Sequence, residues 1–360
     1  MATDPLVDAV IAVHDPSRPI ARAVASLQRS GLAAGTGLRI TVVCHNIAVD
    51  AIAAQLPDPA APGLRLMHLE DGIHSAAGPF NAGLAAATAP YVTIMGSDDS
   101  HQPGAIAAWL ALTGDGRSDA VIAPQMHADG SVVRTPPVRR FHRGDLDPVR
   151  DRLAYRTAPL GLLKRETVER LGLRFPEGLP TGEDQAFSAR LWFEGRGLRY
   201  AAGAPRYVVG ADAVTRVSTT PRPLRREFEF VRQLLDDPWF QGLPLAARRA
   251  LAIKIVRIHV FAATLARIDA GAFDADDRAE AAALLTRMRS AAPGFERPFS
   301  LADRRTADAL ASGAADAEAI GRLARARRRF GHPSTLVTRD PRGLFAVEGP
   351  LRFMAASALM

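Results

Sequence analysis

The first hundred residues alternate short β-branched runs with helical patterns, and this rhythm limits the fold more than any other feature of the chain. Val7 to Val13 reads as a buried strand that stops at His14-Asp15-Pro16. Ile20 to Ser30 then places Ile20, Val24 and Leu27 on one helical face. Leu38 to Cys44 is a second strand, Val49 to Gln55 a short helix, and Leu64 to Leu69 a third strand. Phe80 to Ala87 is helical, and Tyr91 to Met95 is a fourth strand that ends at Gly96-Ser97-Asp98-Asp99. Strands separated by crossover helices pair in parallel, with helices on both faces. Such sheets bind ligands beyond the carboxyl ends of their strands, where His14-Asp15, Cys44-His45-Asn46 and Asp98-Asp99 converge. The expected fold is α/β, of Rossmann-like, nucleotide-binding architecture.

The pattern continues less regularly to about residue 220. A helix is expected from Gly104 to Leu112 and a strand over Ala120 to Ala123, and Ala128-Asp129-Gly130-Ser131 reads as a hairpin turn. Arg134 to Asp151 is polar, contains prolines and arginines, and reads as a mobile loop. Helices follow at Glu166–Leu171 and from Thr181-Gly182-Glu183-Asp184 to about Glu194, with closing strands at Leu198–Ala201 and Arg206–Val209. Composition changes at Pro221-Arg222-Pro223. Beyond it lie helical patterns at 224–235, 245–268, 275–290 and 301–330, the last opened by a Ser300/Asp303 cap. The expected organisation is a first domain over 1–220, an α-helical domain over 221–330, and a tail over 331–360 with weak structural signals.

Composition narrows the function classes. A chain of 360 residues, 48% apolar and 23% charged, buries a sizeable core and is not disordered in bulk. A lone Cys44 excludes an intramolecular disulfide and a Cys-rich zinc site, and fits a reducing compartment. No basic segment followed by an apolar run opens the chain, so no signal peptide is read. The apolar stretch Leu251–Ile268 is interrupted by Lys254, Arg257, His259 and Arg267, against a membrane span. The expectation is a soluble, cytoplasmic protein. Among the 45 basic residues only Lys164 and Lys254 are lysines. Arginine grips phosphates with two donors at once, which favours anionic partners, although GC-rich coding yields the same bias. With 38 acidic residues interspersed and a net charge of only +7, no nucleic-acid partner is expected.

Three local features can carry chemistry. Adjacent Asp98 and Asp99 at the end of a buried strand repel one another, an arrangement a hard divalent cation relieves. The competing reading is a helix start, with Asp99 or Ser100 as cap and Pro103 in the first turn. In Gly182-Glu183-Asp184-Gln185 a carboxylate at a helix N-terminus is held ionised and can take a proton from a hydroxyl. Here Thr181 and Asp184 are also spaced as a simple cap pair. Ala77-Gly78-Pro79-Phe80-Asn81-Ala82-Gly83-Leu84 permits close approach of backbone to a ligand, or serves only as a turn.

In this order, Val10-Ile11-Ala12-Val13-His14-Asp15, Phe80-Asn81-Ala82-Gly83-Leu84, Gly96-Ser97-Asp98-Asp99 and Gly182-Glu183-Asp184-Gln185 resemble the motifs of family 2 glycosyltransferases, over residues 6 to 218. The resemblance implies a GT-A fold, a Rossmann-like mixed sheet flanked by helices, here followed by the α-helical unit. It implies an inverting hexosyl- or N-acetylhexosaminyltransferase using a nucleoside-diphosphate sugar, a UDP-sugar before others. Asp98 would contact ribose and metal, and Asp99 would ligate Mg2+ or Mn2+ at the diphosphate. Asp184 would be the general base, with Glu183 orienting the acceptor. His14, Asp15, Asn46 and Asn81 would lie against the donor. Arg216 and Ser218 fall where members contact the diphosphate, or are ordinary loop residues. The Gly-Glu-Asp-Gln form is similar to that of teichoic-acid-modifying and capsule-type members. It points to bacterial cell-wall or polysaccharide biosynthesis, with a glycan, polyol-phosphate or glycolipid acceptor.

The chain departs from the family pattern in three places. Cys44-His45-Asn46 stands where acidic residues usually read the base, Gly96-Ser97 replaces an earlier carboxylate, and Phe80 replaces a common arginine. A non-catalytic glycan- or nucleotide-binding module on the same fold therefore stays open. A nucleotidyltransferase would need a glycine-rich loop after the first strand, and His14-Asp15-Pro16-Ser17-Arg18-Pro19 has no glycine. In the helical unit Arg322, Arg325, Arg327, Arg328 and Arg329 form a basic cluster. It suits an anionic polymer, peripheral contact with the inner face of the plasma membrane, or simply a solvated helix face. Ile253, Val256, Val260 and Leu265 read as core or as a homo-oligomer contact.

Overall fold

The computed structural model describes residues 5–114, 116–142, 144–210 and 221–360. The expected alternation is present. β1 (Val7–Val13), α1 (Ile20–Gln28), β2 (Leu38–His45), α2 (Val49–Ala53), β3 (Leu64–Leu69), α3 (Ala77–Ala85) and β4 (Tyr91–Gly96) follow one another. Then come β5 (Ser100–His101), α4 (Ala105–Leu110), β6 (Ala120–Ile122), β7 (Gln125–His127), β8 (Val132–Val133), β9 (Gly161–Lys164), α5 (Arg165–Arg170), α6 (Glu183–Glu194), β10 (Arg199–Tyr200) and β11 (Tyr207–Val209). Among the described residues, seven strands form one mixed sheet in the order β10-β6-β9-β4-β1-β2-β3. β3, β2, β1 and β4 are parallel, and β9 enters antiparallel between β4 and β6. A smaller sheet, β5-β11-β7-β8, stands at the carboxyl end of β4. Apolar side chains pack on both faces of the main sheet: Val7, Ile11 and Val24 on one, Val10, Ile94 and Trp192 on the other. This is why β1 and β4 are almost wholly apolar rather than alternating.

The helical unit contains α7 (Leu224–Glu227), α8 (Glu229–Asp236), α9 (Pro238–Gly242), α10 (Leu245–Lys254), α11 (Phe261–Asp269), α12 (Ala275–Ala291), α13 (Leu301–Ser312) and α14 (Ala317–Ala326). A π-helical stretch, Ile255–Val260, joins α10 to α11 without a break. The Ser300 side chain accepts from the Asp303 backbone N–H, the cap that the spacing predicts. Ile253, Val256 and Val260 lie in the core of this unit, which also takes in Ala154, Leu179 and Ala189 from the first half. The core of the helical unit is therefore shared with the first half, whose sheet keeps cores of its own on both faces.

One expectation is corrected, and the tail shows more structure than its weak signals suggest. The Arg134–Asp151 segment is irregular but anchored rather than mobile. The Asp151 carboxylate, fully buried, pairs with Arg139 and accepts from the backbone N–H of Arg139 and Asp147. The tail carries α15 (Pro333–Leu336), α16 (Pro341–Leu344) and α17 (Pro350–Ala358), each with proline at its start. It docks through Arg152 on the Val347 carbonyl and through Tyr155 and Arg257 on Glu348. No helix among the described residues is long and apolar enough to cross a membrane.

Candidate active site

The carboxyl ends of β1 and β4 and the start of α6 enclose a cleft of about 450 Å3, lined among others by Arg18, Asp98, Asp99, Glu183, Asp184, Gln185 and His259. Two of the four sequence motifs thus supply its carboxylates. Strand β4 ends at Gly96, where a Cβ would come within 2.8 Å of Asp99 Oδ2 and 3.3 Å of Asp98 Oδ1. Glycine is what lets both aspartates fold back over the strand end. Neither Asp99 nor Ser100 caps a helix; the chain forms β5 there, and α4 starts after Gly104 without a side-chain cap. Asp99 instead accepts from the Tyr207 hydroxyl at 2.5 Å and the Gly210 N–H at 2.8 Å, both from the β11 segment. Burial, with the charge of Asp99 adding to it, raises the Tyr207 pKa well above its usual value, so the phenol keeps its proton and donates. Asp98 pairs with Arg18 at 3.1 Å, and its backbone carbonyl accepts from Arg22.

The opposite wall is the first turn of α6. Gly182 precedes it with φ +76°, and a Cβ there would lie 2.6 Å from the Phe230 ring. The left-handed turn swings Glu183 and Asp184 into the cleft while Phe187, Leu191 and Trp192 go to the core. No side chain caps this helix, so the cap-pair alternative for Thr181 and Asp184 is overturned. Burial and the neighbouring Glu183 charge push the Asp184 carboxyl up to about 6, and Lys254 opposes the rise. Glu183 is raised as well, by burial.

The sequence reading missed the third wall, which the helical unit supplies. Lys254, 2% exposed at the end of α10, donates to Gln185 Oε1. The other end of that amide, Nε2, lies 3.2 Å from His259 Nε2 in the π-helical stretch. An ammonium can only donate, so Gln185 turns its oxygen to Lys254 and its N–H to His259. His259 then accepts at Nε2 and carries its proton on Nδ1. Its pKa is well below the usual value through burial and the Lys254 charge, so it stays neutral. Burial lowers Lys254 to about 7 and Asp184 opposes this. Two signals were present in the sequence: polar residues breaking the apolar run 251–268, and a lysine in a chain whose cations are otherwise almost all arginine. A buried lysine titrates where arginine does not.

The remaining predicted donor contacts divide. His14 and Asp15 stand at the end of β1, on the rim rather than in the lining. The His14 pKa is lowered by burial first and then by the Arg18 charge, and Asp15 accepts from the Ser17 N–H. Asn46 has φ +54°; its carbonyl accepts from the Asp71 and Gly72 N–H groups, and its amide N–H faces Asp71 and the Ile73 carbonyl. Its amide braces the loop after β3. Asn81 is likewise committed, binding the Phe175 backbone through both ends of its amide and Glu177 at 3.0 Å. It ties α3 to the 175 segment, away from the cleft. Asp71, absent from the sequence reading, lies beside buried His45 at 2.7 Å. It brings a carboxylate to the end of β2, where the sequence shows none. Glu70-Asp71-Gly72 after the third strand was the available signal. Arg216 and Ser218 lie outside the described residues.

Among the described residues no group of three or more His, Cys, Asp or Glu forms a ready-made metal cage. Asp98 and Asp99 nonetheless fit a divalent ion of the Mg2+ type, which is held by one or two carboxylates and completes its shell with substrate phosphates and water.

Comparison with known proteins bears on the fold. S. aureus TarS 1-349 in complex with UDP-GlcNAc superposes with a TM-score of 0.72 at 15% identity, over 89% of this chain and 91% of that one. The same TarS fragment in complex with UDP gives 0.65 at 15% identity, with the same coverage. No curated protein matches the sequence. Residues 8–172 match the model of Glycosyl transferase family 2, and the structural likeness extends the fold through the helical unit. The chain thus carries a Glycosyl transferase family 2 domain over residues 8–172, on the GT-A fold that it shares with TarS.

Proposed function

We propose that the chain transfers a hexosyl or N-acetylhexosaminyl group, with inversion, from a nucleoside-diphosphate sugar to a hydroxyl of a cell-envelope or polysaccharide acceptor. The observation that carries this reading is one cleft in which Asp98 and Asp99 face Glu183 and Asp184. The UDP-GlcNAc and UDP complexes of TarS favour a uridine donor. Asp98 and Asp99 would hold Mg2+ or Mn2+ at the diphosphate. Such an ion, when bound, supplies Lewis-acid stabilisation of the leaving phosphate oxygen. Arg18 adds a cation on the same wall.

Asp184 aligns the acceptor hydroxyl on the face of the sugar opposite the leaving group. As the new C–O bond forms and the anomeric C–O phosphate bond breaks, the hydroxyl proton passes to the Asp184 carboxylate and the nucleoside diphosphate departs. Glu183 lies beside it to orient the acceptor. The charge of Lys254 lowers the Asp184 carboxyl against burial and so favours the anion that the step needs. The test is the anomeric configuration of the product made from UDP-α-GlcNAc, read by the proton coupling of its anomeric signal. A β product is expected. An α product would rule out single displacement at this cleft.

A further inference from the structure

A second cavity, of about 580 Å3, lies across the π-helical stretch from the catalytic cleft. His259 faces the cleft, whereas Arg257 and Ile258 line the second cavity. One helix, about 10 Å across, therefore separates the two spaces. The second cavity is walled by Ile258, Phe330, Phe353 and Met354 and carries four arginines, Arg134, Arg257, Arg327 and Arg328, against one carboxylate, Asp303. Arg257 and Arg327 are spent on Asp303, at 3.2 and 2.9 Å. Among the described residues Arg134 and Arg328 have no side-chain hydrogen bond or ion pair. Phe330 is 85% exposed and Ile258 46% exposed. An apolar chamber with uncompensated guanidinium groups and an exposed phenylalanine is complementary to an amphiphile, hydrocarbon inside and anion at the mouth.

We propose that this cavity seats an acyl chain of an acidic phospholipid, with its phosphate between Arg134 and Arg328, and so fixes the enzyme on an acidic bilayer surface. Charge selects this occupant over a second copy of the chain, because an isologous contact would set the same arginines against each other. A soluble polyanion would satisfy the arginines but leave the phenylalanine-lined wall uncovered. The inference does not depend on the transfer chemistry, since its readout is membrane binding alone.

The test uses the full chain and Phe330→Trp with vesicles of phosphatidylcholine alone or with about one third phosphatidylglycerol, some acyl chains being brominated. The proposal expects flotation with the acidic vesicles only, and bromine quenching of the introduced indole above the background of the three native tryptophans. Arg134→Gln with Arg328→Gln should lower partitioning at least about tenfold, each arginine near an acidic surface contributing severalfold. Ala358→Phe, which narrows the cavity from an exposed helix face without adding an indole, should abolish the quenching. Equal binding to both vesicle types, or acidic binding unchanged in the double arginine variant, would overturn the proposal. So would an absence of vesicle binding together with a concentration-dependent dimer that Phe330→Glu dissociates, which would make a second copy the occupant.

Discussion

Lys254→Met removes the buried cation behind Asp184 while keeping the length and apolar stem of the side chain. In the folded chain Asp184 sits near 6, raised by burial and Glu183 and held down by Lys254. A base of that pKa is about 90% ionised at pH 7 and about half ionised at pH 6. Without Lys254 the lowering influence goes and the carboxyl rises further. For a first unit of rise the ionised fraction at pH 6 falls roughly fivefold, whereas at pH 8 it falls by less than about 10%. The expected result is a defect that deepens toward acid and nearly vanishes in alkali, seen in kcat/KM for nucleoside diphosphate release between pH 5.5 and 8.5. Lys254→Arg keeps the charge and should preserve the position of the acidic limb. A parallel drop at every pH, or an unchanged profile in Lys254→Met, would refute the argument that Lys254 tunes the base.

Other predictions follow from the same contacts. Asp184 as an anion costs stability above its raised pKa, and Lys254 as a cation costs stability below its lowered one, so both costs act near pH 6 to 7. The double variant Asp184→Asn with Lys254→Met should therefore unfold about 1 to 4 kcal/mol later in urea at pH 6.5 while losing transfer; a less stable double variant would contradict this. Gly182→Ala forces a Cβ onto Phe230 at positive φ, and should cost about 1 to 3 kcal/mol and misplace Asp184; wild-type turnover would count against the turn's role. Asp151 is held below its usual pKa by Arg139 and two backbone N–H groups although burial opposes them. Its contribution is present above pH 4 and lost as pH falls through the depressed value. Asp151→Asn should cost about 3 kcal/mol at pH 7 and flatten the acid limb of stability, which pH-dependent urea unfolding would measure.

The parts legible in the sequence are those governed by local pattern. β1 to β4 are continuous apolar runs bounded by turn residues, so their existence, order and parallel pairing follow from periodicity and crossover geometry. That Asp98, Asp99 and Asp184 share one cleft was legible because the carboxyl ends of the strands and the helix starts that follow them lie on one side of such a sheet. Lys254 and His259 were not, because they lie some 70 residues after Gln185 in a stretch whose period reads as helix core. Only tertiary packing turns that face toward α6. The bracing bonds of Asn46 and Asn81 were not legible either: a loop or helix amide can bind a ligand or brace the chain, and the spacing is the same in both cases. The tail was illegible as structure because α15 and α16 are single turns with little propensity of their own, and because the segment before α17 is held by Arg152, Tyr155 and Arg257, far away in the sequence.

The most direct measurement separates donor binding from transfer. Thermal unfolding with UDP-GlcNAc and Mn2+, alongside GDP- and dTDP-sugars, would be compared among wild type, Asp99→Asn and Asp184→Asn. Nucleotide release would be followed on the same samples. At about one hundred times Kd a bound donor adds about 2.7 kcal/mol of stability. The account predicts a metal-dependent shift for one nucleotide class in wild type and in Asp184→Asn, loss of that shift in Asp99→Asn, and transfer by wild type alone. Transfer by Asp184→Asn at the wild-type rate, or donor stabilisation that survives in Asp99→Asn without metal, would contradict it.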